Sequence, residues 1–139
     1  MKVRELMIKN VITCAKDDPI HDVARKMVDH NIGMLIVLED NTSQKPAGVL
    51  SDRDLITEIL LKHLNPQEST AEQAMTKELI SVSPESDINE AVKIMDKNKI
   101  KRLVVIDDLQ NLVGIISKAD LIKQFLNIRK QLVEFSDGI

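Results

Sequence analysis

The sequence has no tryptophan, no tyrosine and only two phenylalanines. Aromatic platforms for stacking unpaired bases are therefore missing, which argues against single-stranded nucleic acid as a partner. Positive charge is not in excess: the formal net charge is −3 at pH 7, so no overall field draws in duplex DNA. Cys14 is the only cysteine, which excludes an internal disulfide, and within the apolar run VITC it reads as a buried, inert thiol. His21, His30 and His63 lack ligand spacing, and one cysteine adds nothing to them, so no metal site is expected. No apolar run approaches the roughly 18–20 residues that span a bilayer. The opening MKVRELMIKN lacks the apolar centre of a signal peptide, and the expected compartment is the cytosol. No Ser/His/Asp or Cys/His set, Walker loop or Gly-x-Gly-x-x-Gly string is present, so no catalytic activity is expected.

What the chain does have is repetition. It has 139 residues, 43% hydrophobic and 29% charged, enough for one compact domain or two very small ones and unlike a disordered segment. With Met7 placed over Met75, an offset of 68, Ile12 meets Ile80, Ile20 meets Ile88, Met27 meets Met95 and Leu35 meets Leu103. Past EDNTSQKPAG, where the first copy has two extra residues, the offset is 66. Gly48, Ser51, Asp54 and Leu55 then fall on Gly114, Ser117, Asp120 and Leu121.

Each copy reads as β-α-β-β-α. NVITC and ELISVS have strand length and branched residues. A helix follows, with Asp18 capping and Pro19 in the first turn of copy one, and Ser86 capping in copy two. Ile20, Val23, Ala24 and Met27 form its apolar stripe, repeated by Ile88, Ala91, Val92 and Met95. MLIVLE and RLVVID are continuous apolar strands of the kind buried centrally in a sheet, and each pairs as a hairpin with the next. The predicted fold is mixed α+β: two repeats, 1–65 and 66–139, packed sheet to sheet with pseudo-two-fold symmetry and joined through the linker HLNPQEST. The last helix is extended, and Leu121, Phe125, Ile128, Leu132 and Phe135 follow a 4-3-4-3 spacing. That seam suits either another subunit or the protein's own domain.

The repeated GVLSDRDL and GIISKADL place a glycine, a serine and an aspartate at a strand–helix junction. The glycine allows either close backbone approach or an unusual torsion. Unpaired N–H groups and the helix dipole favour an anion there, and a serine hydroxyl can donate to it. An aspartate one turn in can accept both hydroxyls of a ribose, so the groups suit a ribose phosphate. Ser-x-x-Asp is equally a capping box, and the residues alone leave both readings open. Arg53, Lys118 and Arg102 are the candidate phosphate contacts, although a run such as KNKIKR is ordinarily a solvated face. Met34 stands where copy two has Arg102, and Arg53 stands where it has Ala119, so two unequal sites are expected.

The duplicated unit with these two junctions resembles a tandem pair of cystathionine-β-synthase (CBS) domains across roughly 3–62 and 70–128, without an attached enzyme, channel or transporter. The resemblance implies two clefts between the repeats and a homodimeric disc of four units. It also implies a regulatory role, sensing AMP, ADP, ATP or S-adenosylmethionine on behalf of a regulated protein partner. Asp54 and Asp120 would then hold ribose hydroxyls, and Ser51 and Ser117 would contact ribose or phosphate. Ile12–Thr13 and Ile80–Ser81 would line adenine through backbone groups, while Arg53, Lys118 and Arg102 would neutralise phosphate. Leu103 stands where family members often carry proline. The rival class is a structural or scaffolding dimer with vestigial clefts, acting through protein partners.

Overall fold

Each repeat converts its apolar runs into a three-stranded sheet whose middle strand is the most hydrophobic. The structure, a computed structural model, describes residues 1–137, and side chains as far as Glu134. In the first repeat, β1 (Thr13–Ala15) runs parallel to β2 (Met34–Leu38), which pairs antiparallel with β3 (Pro46–Ser51). In the second, β4 (Ser81–Val82) is parallel to β5 (Arg102–Ile106), and β6 (Leu112–Ser117) lies on the other side of β5. Leu35, Ile36 and Val37 are all buried, as are Leu103, Val104 and Val105, so both faces of the central strands are covered. The mixed α+β class expected from the sequence is observed, with two three-stranded sheets and their helices among the described residues.

The helices pack by their predicted stripes, with local differences. On α1 (Ile20–Asp29), Ile20, Val23 and Met27 are buried. On α4 (Ile88–Asn98), Ala91 and Met95 are buried and Ile94 joins them, whereas Val92 faces outward. Their starts also differ from expectation. Pro19 is itself the N-cap of α1, while Asp18 accepts from the Ala15 N–H at 2.9 Å and closes the turn after β1. Asp87, rather than Ser86, caps α4 by accepting from the Asn89 N–H at 2.8 Å. The helix after β3, α2 (Asp52–Leu55), continues as a π-helical turn over Ile56–Leu60. The helix after β6, α5 (Lys118–Asp137), is regular throughout. No helix among the described residues is long and apolar enough to cross a membrane.

The chain forms two compact units whose segments are exchanged relative to sequence order. Asn10–Leu79 forms one unit together with Gln110–Leu112; Met1–Lys9 belongs with Ile80–Leu109 and the chain from Val113 onward. We call these the first-repeat and second-repeat units. The predicted linker is an integral part of the first-repeat unit. Its Ser69 and Pro66 carbonyls accept from the Ile20 and His21 N–H groups at 2.9 Å each, so they satisfy donors at the start of α1 that have no intrahelical partner. A short helix, α3 (Ala71–Ala74), then buries Ala71 and Ala74 in that unit's core. The opening segment plays the same part in the second-repeat unit. Val3 is fully buried there, and the Met1 carbonyl accepts from the Ile88 N–H at 3.0 Å.

These docked segments explain the two repeated glycines inside the strands. Thr76 exchanges both backbone hydrogen bonds with Val49, at 2.9 and 2.8 Å, and Ile8 does the same with Ile115, at 2.8 and 3.0 Å. A Cβ on Gly48 would lie 2.7 Å from the Thr76 carbonyl oxygen and 2.8 Å from Met75 Sδ. On Gly114 it would lie 2.7 Å from Met7 Sδ and 2.9 Å from the Ile8 carbonyl oxygen. No described glycine has a positive φ, so close approach rather than an unusual torsion is what requires them. Alanine ordinarily improves on glycine within a strand. Here Gly48→Ala and Gly114→Ala should each destabilise by about 1–3 kcal/mol through overpacking, read by circular dichroism during denaturation. Unchanged or raised stability would contradict the contact.

Candidate functional site

The junction after each sheet is held by a reciprocal pair of hydrogen bonds. In the first-repeat unit the Ser51 N–H donates to Asp54 Oδ2 at 2.9 Å, and the Asp54 N–H donates to Ser51 Oγ at 3.2 Å. In the second-repeat unit the Ser117 N–H and hydroxyl both donate to Asp120 Oδ2, at 3.2 and 2.8 Å, and the Asp120 N–H returns to Ser117 Oγ at 3.2 Å. Both copies are thus formed capping boxes. Only Oδ2 of each aspartate is committed; Oδ1 of each accepts no hydrogen bond among the described residues. All four side chains are half-buried. One carboxylate oxygen locks the turn and the other stays available, so capping and ligand binding are compatible.

Strand register gathers most of the other predicted residues at the same end of each sheet. Ser51, ending β3, pairs with Met34, which begins β2, and the Ile36 N–H reaches the Ile12 carbonyl at 3.4 Å beside Thr13. In the second-repeat unit Ser81 pairs with Val104, and the Val104 N–H reaches the Ile80 carbonyl at 3.4 Å. Arg102 begins β5 and is exposed there. Lys118 opens α5, its N–H donating to the Lys101 carbonyl at 2.9 Å and its ammonium lying 3.4 Å from Asp96 Oδ1. The Thr13 carbonyl already accepts from Lys26 Nζ at 2.7 Å, which leaves less of it for a ligand. Arg53 is exposed on α2.

One residue stands out that the sequence reading passed over. Asp52 occupies the place of Lys118: its N–H donates to the Gly33 carbonyl at 2.9 Å, as that of Lys118 does to Lys101. Its Oδ2 lies 3.0 Å from where a Cβ on Gly33 would be. Asp52 and Asn31 rim an open groove of about 470 Å³ floored by Ala24, Met27, Val28, Ile32 and Leu55. The signal was in the alignment of the copies, where a carboxylate replaces an ammonium beside the serine.

The CBS domain family model matches residues 3–61 and 71–127, more than four-fifths of the chain. The chain belongs to the CBS domain family. An uncharacterised protein of Methanopyrus kandleri is 32% identical over 88% of this chain, which spans 62% of that relative's length, under two thirds. The CBS domain-containing protein YhcV of Bacillus subtilis is 31% identical over 86% of this chain and 81% of its own. Among solved structures, the CBS domain pair of protein MJ0100 is 25% identical and superposes with a TM-score of 0.75, covering 90% of this chain and 99% of that one. It was crystallised with 5′-methylthioadenosine and S-adenosylmethionine. The tandem CBS pair expected from the sequence is therefore found.

Cys14, next to Thr13 on β1, is a free and buried thiol. Burial pushes its thiol up to about 12, with Asp18's negative charge adding and Lys26's positive charge opposing. A thiol raised that far stays protonated at pH 8, where about one molecule in ten thousand would be thiolate. Ellman's reagent at pH 8 should leave the folded protein unmodified and titrate one thiol after denaturation in guanidinium. Rapid modification of the folded protein would contradict the burial.

Proposed function

We propose that the protein is a regulatory module that binds an adenosine-containing ligand at its strand–helix junctions and has no catalytic activity of its own. The observation that carries the reading is the duplicated Ser–Asp box. In each copy it leaves one aspartate oxygen open beside the strand starts, in a family whose member MJ0100 was crystallised with two adenosine compounds. In this reading Asp54 and Asp120 accept ribose hydroxyls, as acidic residues of dinucleotide folds do. Ser51 and Ser117 contact ribose or phosphate, and Ile12–Thr13 and Ile80–Ser81 line the adenine. Lys118 and Arg102 meet phosphate, whereas Arg53 lies exposed between Asp52 and Asp54. AMP, ADP, ATP and S-adenosylmethionine are the ligands to test. A ligand can regulate only by binding one conformational state better than another.

Self-association belongs to the same reading. Phe125, Ile128 and Leu132 follow the seam spacing on α5 and are 65%, 43% and 65% exposed, and an apolar face of that extent favours covering by a second copy. Leu121 is half-buried against its own unit's core instead, and the side chain of Phe135 lies outside the described residues.

The test is a melting curve followed by circular dichroism, with millimolar adenosine, AMP, ADP, ATP or S-adenosylmethionine, with and without Mg²⁺. A ligand at about 100 times its Kd stabilises by about 2.7 kcal/mol, which moves the midpoint by several degrees. Asp54→Ala and Asp120→Ala together should abolish the shift. No shift with any ligand in either buffer would overturn the proposal.

A further inference from the structure

The two junctions share a backbone but differ in charge at every one of five aligned positions. Lys97, Lys99, Lys101, Arg102 and Lys118 of the second-repeat unit correspond to Asp29, Asn31, Gly33, Met34 and Asp52 of the first. The correspondence is geometric as well as sequential. Lys118 and Asp52 each donate a backbone hydrogen bond of 2.9 Å to the residue preceding the middle strand. Lys99 and Asn31 share a left-handed backbone, with φ of 55° and 52°. Asp96 and Asp120 partly offset the cations of the second-repeat unit, and Lys118 lies against Asp96. In the first-repeat unit Arg53, together with Lys26 on the Thr13 carbonyl, partly offsets Asp29, Asp52 and Asp54. The second-repeat junction is therefore cationic and the first-repeat junction anionic.

Charges of this kind discriminate between ligands that share a nucleoside. A phosphate brought beside Lys101, Arg102 and Lys118 gains charge-assisted hydrogen bonds. Brought beside Asp52 and Asp54, the same phosphate meets like charge. Adenosine and 5′-methylthioadenosine carry no such charge and leave the carboxylates solvated.

We infer that the pair Lys118/Asp52 is a charge selector: the second-repeat junction takes the phosphorylated form of adenosine, and the first-repeat junction takes an adenosine compound whose 5′ substituent is uncharged or cationic. This rests on the receptor reading proposed above and goes beyond it by assigning a ligand class to each junction. The backbone hydrogen bond beneath the selector is the same in both copies, so the two side chains start from equivalent positions.

Calorimetric titration of the full chain with AMP, adenosine and 5′-methylthioadenosine tests it, with salt raised from about 50 to about 500 mM to screen exposed charges. AMP should occupy one high-affinity site per chain and weaken markedly in high salt. Lys118→Ala and Arg102→Ala should each weaken it about tenfold, the loss expected for one charge-assisted hydrogen bond. The affinity of 5′-methylthioadenosine should change less than about twofold in those variants and across the salt range. Asp52→Lys should create a second AMP site, and Asp52→Asn, which removes only the charge, should raise AMP affinity at the first-repeat junction. Circular dichroism confirms that each variant is folded. Two AMP sites of equal affinity in the unaltered protein, or AMP binding indifferent to Lys118→Ala and Arg102→Ala, would overturn the selector while leaving the receptor reading intact. Absence of binding by all three ligands would overturn both.

Discussion

The reciprocal backbone pairs Val49–Thr76 and Ile115–Ile8 are the contacts on which the rest of the structure depends. Without them β3 and β6 would be open sheet edges, with unpaired N–H and C=O groups. Each pair requires a partner backbone to lie against a strand glycine, Gly48 or Gly114, with a methionine sulfur above it. Each also draws a distant segment into the unit, where it supplies carbonyls to the first helix and apolar residues to the core. The last strand of each sheet is thereby fixed, and that strand ends in the serine of the junction. Edge protection and placement of the candidate site are one arrangement.

The junction is built on a common local motif. A capping box satisfies otherwise unpaired helix donors in any protein. Here it also holds a half-buried carboxylate with one oxygen bound and one open, beside the starts of the first and middle strands. Reproducing this in two copies gives two junctions of the same frame. The side chains around the frame then separate them, and the separation is electrostatic: a lysine in one copy stands where an aspartate stands in the other.

Much of this was legible in the sequence because the chain is written twice. The order of elements, the buried middle strands and the Ser–Asp box follow from alternation, apolar runs and the repeated spacing. The exchange of segments did not show, because it depends on long-range backbone pairing by Thr76 and Ile8, whose side chains carry no mark of it. The helix starts shifted for a related reason. Asp18 and Ser86 have capping chemistry, but Asp18 is spent on the β1 turn and the cap of α4 falls on Asp87. Of the left-handed residues after α1 and α4, Asn31 is of a type that favours that conformation, whereas Lys99 is not, so nothing in the sequence marks the end of α4. Of the two reasons open for Gly48 and Gly114, close approach is the one that applies, and what approaches is the protein's own chain.

The central claim is that the strand–helix junctions receive the ligand, and amide chemical-shift mapping tests it most directly. In a ¹⁵N-labelled sample titrated with AMP, the largest changes should fall on the amides of Ser117 to Asp120 and of Ile80 and Ser81. The amides of Ser51 to Asp54 should respond instead to 5′-methylthioadenosine. Shifts confined to α5 or to the exposed helix faces, with the junction amides unmoved, would contradict the account.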